Sequence, residues 1–157
     1  MYGGKDKVRR VAGGNSGTSG NGLQQGVVVV VHCDGRFLMI RRAEGILAGG
    51  SWCFVGGGIE PGESQAESVE REFAEEVGGR VRAVRKIWEY RRPDGKLLLH
   101  WWLAELDDDR LEANPAEVSD LRWCTAEEVA KLPTVLDSNV AFLNAVGRSL
   151  LGESGAV

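Results

Sequence analysis

From position 26 the chain runs GVVVVVHC, apolar and β-branched without interruption, which predicts a strand buried on both faces. Asp34-Gly35 marks a hairpin turn, and RFLMIRR over 36–42 returns beside it. AEGILAGG, 43–50, has no period and predicts a loop that shapes a substrate entrance; SWCFV, 51–55, predicts a short strand ending at Gly56. Gly56, Gly57, Gly58, Pro61 and Gly62 then predict a tight irregular loop, and the stretch after them, free of Gly and Pro, predicts a helix. Its start is Ser64, which forms a capping box with Glu67, and Gly78-Gly79 stop it. At about 100° per residue, Ala66, Val69, Phe73 and Val77 fall on one buried stripe.

Further on, 80–92 and 96–105 flank Pro93-Asp94-Gly95 and predict a long antiparallel hairpin rich in Trp88, Tyr90, Trp101 and Trp102. Neighbours in a strand point to opposite faces, so Trp101 and Trp102 part company; Trp102 is the candidate to face a cleft and stack on a base. Charged loops are expected at 107–110 and 112–120, and a short strand at LRWC, 121–124. Thr125 and Glu128 make a second capping box for a helix over 126–131, which Pro133 breaks. Val140, Leu143, Val146, Gly147, Leu150 and Leu151 recur at helical spacing and predict an amphipathic closing helix. Strands, helix, hairpin, strand and two helices in this order indicate a mixed α/β sandwich.

Composition separates the ends from the middle. Residues 1–25 are rich in Gly, Ser and Asn and poor in large apolar side chains, so a disordered tail is expected there and a single folded domain over 26–152. Lys5, Lys7, Arg9 and Arg10 make that tail mildly basic, which a solvated segment explains better than a nucleic-acid role. The net charge of −4 gives no general attraction to nucleic acid or membrane, and neither is expected as a partner. An anionic substrate must be met by local positive charge or by metal. Val27–Val31, the longest apolar run, is too short to span a bilayer. Cys33, Cys53 and Cys124, odd in number and set in apolar surroundings, are expected to be reduced, buried thiols of a cytoplasmic protein. His32 and His100 stand alone, without the further ligands zinc needs. A homodimer stays open.

The helix over 65–77 carries the chemistry. Glu72, Glu75 and Glu76, spaced i, i+3, i+4, converge on one side and repel one another unless a positive charge sits among them. A solvated acidic face is the plain explanation; a hard divalent cation such as Mg²⁺, bound through one or two carboxylates, water and substrate phosphates, is the functional one.

Gly57, five residues, Glu63, seven residues, then Arg71-Glu72-Phe73-Ala74-Glu75-Glu76-Val77-Gly78 resembles the Nudix box, the signature of hydrolases that cleave nucleoside diphosphates linked to another group. Val55 and Gly79 are the two departures nearby, where that family commonly has proline and an aliphatic residue. The resemblance implies a Nudix-type α/β/α sandwich with a mixed sheet. It implies Mg²⁺, with Mn²⁺ as a substitute, held by Glu72, Glu75, Glu76 and the Gly56 carbonyl. Glu63 and Arg71 would form an ion pair bracing loop against helix, with Gly57 part of the same support. It further implies metal-assisted attack of water on one phosphorus of a nucleotide's P–O–P link, with Glu72 and Glu76 at the chemistry. Glu117 is the nearest match for a general base from a late loop, in competition with Glu112, Asp120 and Glu72 itself. Arg41 or Arg42, ending a strand beside the box, is the expected phosphate contact. Nucleoside triphosphates are favoured, with ADP-ribose, nucleotide sugars and dinucleoside polyphosphates open. The rival reading is a Nudix-like sensor domain that binds a nucleotide without cleaving it.

Overall fold

The structure, a computed structural model, describes residues 22–155. The expectation for the N-terminal tail therefore lies outside the described residues, apart from its last four positions. There it is corrected: β1 begins at Gln24, because Gln24 N donates to Lys96 O and the strand pairs from that residue onward.

The strands are β1 (Gln24–Val30), β2 (His32–Cys33), β3 (Arg36–Arg42), β4 (Trp52–Cys53), β5 (Val55–Gly58), β6 (Arg80–Arg91), β7 (Leu97–Asp108) and β8 (Val118–Cys124). The helices are α1 (Gln65–Val77), α2 (Ala126–Lys131), α3 (Asp137–Phe142) and α4 (Arg148–Gly155), with a π-helical segment, Leu143–Gly147, joining the last two. One sheet has the order β5-β1-β7-β6, with β1 parallel to β7 and the other pairs antiparallel. In the second, β3 pairs with β2, β4 and β8.

Two apolar layers hold these pieces together. Val69, Phe73 and Val77 of α1 pack on Val27, Val29, Val55, Val81 and Ala104. On the opposite face Trp101, fully buried, stacks on Phe142 with centroids 4.4 Å apart and meets Phe54 and Trp88 edge-on. The first sheet is thus covered by α1 on one side and by α3, the π segment and α4 on the other. This is the mixed-sheet α/β sandwich the element order indicated.

Several local expectations are corrected. The first strand is not continuous to Cys33; it breaks at Val31, and Cys33 is exposed on the short β2, whereas Cys53 and Cys124 are buried. Ala66 is only half-buried. The long hairpin reaches Asp108, and β8 starts at Val118, so both charged loops are shorter than expected. Val140, placed on the apolar stripe, is 42% exposed. The π segment explains this, since an i→i+5 turn shifts the phase of the helix and no single 3.6-residue stripe runs through it. Among the described residues no helix is long and apolar enough to cross a membrane.

Candidate active site

Two elements deliver the acidic residues. Strand β5 brings Gly56 and Gly57 to the edge of the first sheet, and α1 lies across the face that Gly57 presents. Ser64 caps α1 by accepting from Glu67 N at 3.0 Å, while Glu67 Oε1 accepts from Ser64 N at 2.8 Å. Gly78, at φ +73, closes the other end in the left-handed region that glycine adopts without strain.

Packing then sorts the glutamates. Glu72 and Glu76, one turn apart, are fully buried. Glu72 is pressed so closely on the glycine strand that a β-carbon on Gly57 would stand 2.1 Å from Glu72 Oε2. Glu75 is different: its side chain is 41% exposed.

Arg71 ties loop to helix. Its Nε donates to Glu63 Oε2 at 2.6 Å and its Nη2 to Glu63 Oε1 at 2.9 Å, a two-pronged contact, while Nη2 also donates to Gly58 O at 2.9 Å. Nη1 bridges Glu72 Oε2 at 3.1 Å and Glu75 Oε2 at 3.3 Å. Burial alone would raise the Glu63 carboxyl, but hydrogen bonds from Arg71, Ser68 and Glu60 N outweigh it and hold Glu63 below its usual value. For Arg71 burial works against the charge, and the Glu63 hydrogen bond with the charges of Glu72, Glu63 and Glu60 reverses that, driving the guanidinium further toward its charged form.

The loop that carries Glu117 is tied to α1. Glu112 N donates to Val77 O at 2.7 Å and Asn114 N to Glu76 O at 2.9 Å, which pins the segment ahead of β8 to the last turn of α1. Glu117, 7% exposed, follows as its N–H bonds Asn114 O at 2.9 Å.

The two arginines that end β3 part company. Arg42 is turned inward, 2% exposed, and its Nε donates to Leu47 O at 2.8 Å, bracing the 43–50 loop from within. Arg42 and Glu76 both act on Cys53: burial pushes that thiol up to about 11, Arg42 opposes the rise and Glu76 adds to it. Arg41 stays at the surface, with Nε on Gly50 O at 3.1 Å.

Trp102 lies on the α1 side of the sheet, its Nε1 donating to Gln65 Oε1 at 2.9 Å. It does not line the cleft on the other side, about 380 Å³ in volume, whose walls include Leu47, Ala48, Tyr90, Leu99, Leu136 and Asp137. Leu47 and Ala48 are the residues of the 43–50 loop that line this cleft. Leu136, Asp137 and Ser138 carry no signal in the sequence, because polar residues in the first turn of a helix are ordinary at a surface; Tyr90 carried one, as an aromatic on the hairpin.

The cleft and the carboxylates are on opposite faces of β5. Across the sheet, Gly58, Gly26, Leu99 and Tyr90 occupy one row of register, and Gly56 lines a small cavity together with Leu99 and Leu136, both also walls of the cleft. β5 is the edge strand between cleft and carboxylates, and all four of its residues are buried.

A divalent cation fits the donors in kind. Glu72 and Glu76 are hard oxygen ligands, buried one turn apart, and Mg²⁺ asks only one or two protein carboxylates beside water and phosphate. Among the described residues, no three Asp, Glu, His or Cys side chains converge on one point; Arg71 takes the place between Glu72 and Glu75.

The NUDIX domain matches residues 22–144. The CTP pyrophosphohydrolase of Escherichia coli (strain K12) is 31% identical over 109 residues, 68% of this chain and 79% of that protein. The nucleoside triphosphatase NudI of Enterobacter sp. (strain 638) is 35% identical over 121 residues, covering 68% and 84%. An NAD-capped RNA hydrolase NudC from Chromobacterium violaceum is 31% identical over 99 residues, 63% of this chain but only 37% of its own length. Among solved structures, the E. coli ORF135 protein superposes with a TM-score of 0.64 at 26% identity, over 78% of this chain and 87% of that one. The MutT protein from Methanosarcina mazei Go1 gives 0.70 at 22% identity, over 82% and 95%, which speaks to the fold alone.

Proposed function

This chain belongs to the NUDIX family of hydrolases, and on that premise we propose that it cleaves the P–O–P link of a nucleoside triphosphate with Mg²⁺ as cofactor. The observation that carries this reading is the seat of Glu72: a carboxylate buried against glycine backbone, one turn from a second buried carboxylate. Arg71 already offsets part of the charge on Glu72, and two hard oxygen donors one turn apart are the kind of ligand that Mg²⁺ takes beside water and phosphate. Glu72 and Glu76 would hold Mg²⁺ beside the Gly56 carbonyl, and Glu75 would join them only on releasing Arg71 Nη1, which now bridges it to Glu72. When bound, the ion supplies charge neutralisation on the phosphate oxygens and a more acidic water.

The chain's own residues do the rest. The Glu63–Arg71 clamp fixes loop to helix so that the carboxylates keep their place beside β5. Glu117, carried by the loop pinned to the end of α1, is the proposed general base that takes the attacking water's proton. Arg41, at the surface where β3 meets the entrance loop, is the proposed phosphate contact. Arg42 supports that loop from behind.

The apolar cleft takes the base. Tyr90, Leu47 and Leu99 offer the flat apolar walls, and the exposed Asp137 carboxylate at its rim accepts hydrogen bonds from an exocyclic amino group. The carbonyl that uracil or thymine presents at the same place would be repelled. Amino-bearing bases are therefore the proposed substrates, cytosine among them, in keeping with the activity named for the E. coli relative.

A panel of nucleoside triphosphates assayed with and without Mg²⁺, with products identified by mass, tests the reading. The expected result is a nucleoside monophosphate plus pyrophosphate, abolished by Glu76→Gln. Nucleotide binding without turnover under any divalent metal would instead make the chain a sensor.

A further inference from the structure

Asn139 is an amide buried on α3, 4% exposed, and it completes a ladder that the backbone cannot. Trp52 N donates to Thr134 O at 2.9 Å and Leu136 N donates to Trp52 O at 3.2 Å, the two rungs of a parallel bridge between Trp52 and Val135. In a parallel ladder the next rung would run from Phe54 N to Leu136 O. That carbonyl is already engaged by the first N–H groups of α3, from Asn139 at 2.9 Å and Val140 at 3.2 Å. The Asn139 side chain supplies the acceptor instead, taking Phe54 N on Oδ1 at 2.8 Å. Its Nδ2 donates to Ser138 Oγ at 3.1 Å, so both ends of the amide are fixed.

Phe54 is where the chain leaves β4 in one sheet and enters β5 in the other, two residues before Gly56. Asn139 and Gly56 line one small cavity of about 10 Å³ together with Phe54 and Leu136. A water needs roughly 10–15 Å³ and polar partners, so solvent is a poor substitute for the amide here.

We propose that Asn139 is a positioning residue: by holding the crossing at Phe54 it sets where the Gly56 carbonyl stands, and so links α3, with Asp137 at the cleft, to the metal end of the site. The inference rests on the proposed function. Asn139 touches no reacting atom; it acts through the strand.

The test uses the full chain, Mn²⁺ alone as a binding probe followed by electron paramagnetic resonance, and kcat and KM with CTP. Asn139→Leu keeps the volume and removes the acceptor. Asn139→Asp keeps an oxygen in the same place, and the Ser138 hydroxyl can turn to donate to it. Asn139→Leu is expected to weaken Mn²⁺ binding and lower kcat by about tenfold each with KM nearly unchanged, and Asn139→Asp to stay within about threefold of the parent. Parental Mn²⁺ affinity and kcat in Asn139→Leu, with the loss confined to melting temperature, would overturn the inference, as would an Asn139→Asp protein equally damaged. If Asn139→Leu does not fold, Asn139→Gln, whose amide is displaced by one methylene, takes its place with the same expected outcome. A parent that neither binds Mn²⁺ nor hydrolyses CTP or any other nucleotide overturns the proposed function as well; a working parent with an indifferent variant overturns this inference alone.

Discussion

Arg71 holds Glu63 with two prongs, Nε to Oε2 at 2.6 Å and Nη2 to Oε1 at 2.9 Å, and spends its remaining nitrogen on Glu72 and Glu75. Lysine can hold one of these partners as a point charge and cannot present the fork. Arg71→Lys should therefore lower kcat/KM by about 10–100-fold, the range seen when partners behind metal ligands are changed. Steady-state kinetics beside circular dichroism checks this; unaltered kinetics would remove Arg71 from the site's support.

Acid should loosen the same clamp. Glu63 has its native carboxyl below the ordinary 4.5, so the unfolded chain takes up the proton first as pH drops. The pair's stabilisation is then complete above about pH 4.5 and fades as pH falls through the lower native value. Melting curves of the parent and Glu63→Gln from about pH 7 to pH 3 should differ most at the neutral end and draw together in acid. A gap of equal size throughout would show that the carboxylate charge is immaterial.

Gly57→Ala forces a methyl group into the space of Glu72 Oε2, 2.1 Å away, whereas Gly152→Ala on α4 meets nothing within 4 Å. The first should abolish most activity and cost on the order of 1–3 kcal/mol, as other overpacked positions do. The second should leave activity alone and raise stability by up to about 1 kcal/mol through helix propensity. Urea melts and initial rates on both proteins separate the effects.

At the cleft, Tyr90→Ala should raise KM for CTP about tenfold with little change in kcat, since stacking holds the base equally before and during reaction. Asp137→Asn should relax discrimination against UTP, because an amide can donate where the carboxylate could only accept. Competition between CTP and UTP in one tube reads this directly; an unchanged ratio would place base selection elsewhere.

Much of this was legible in the chain, and what was not has a common cause. The capping box at Ser64, the stop at Gly78 and the stripe Val69, Phe73, Val77 depend on near neighbours in sequence, and all stand where spacing put them. The Glu63–Arg71 pair was legible only through family resemblance, since loop and helix must first be docked. The inward turn of Arg42, the exposure of Cys33 and the π segment after Phe142 depend on tertiary packing. Asn139 is the clearest case: its task exists only because Leu136 O is claimed by α3, and Asn139 itself lies 85 residues beyond Phe54. No local pattern around Asn139 records that.

Among the described residues, strand β5 meets its sheet through β1 alone, and β1 in turn lies against β7, made about seventy residues later during synthesis. β1 must accordingly wait for β7 before the glycine edge has anything to rest on. A chain truncated before Leu97 would carry the complete acidic signature and yet lack the wall that gives it shape.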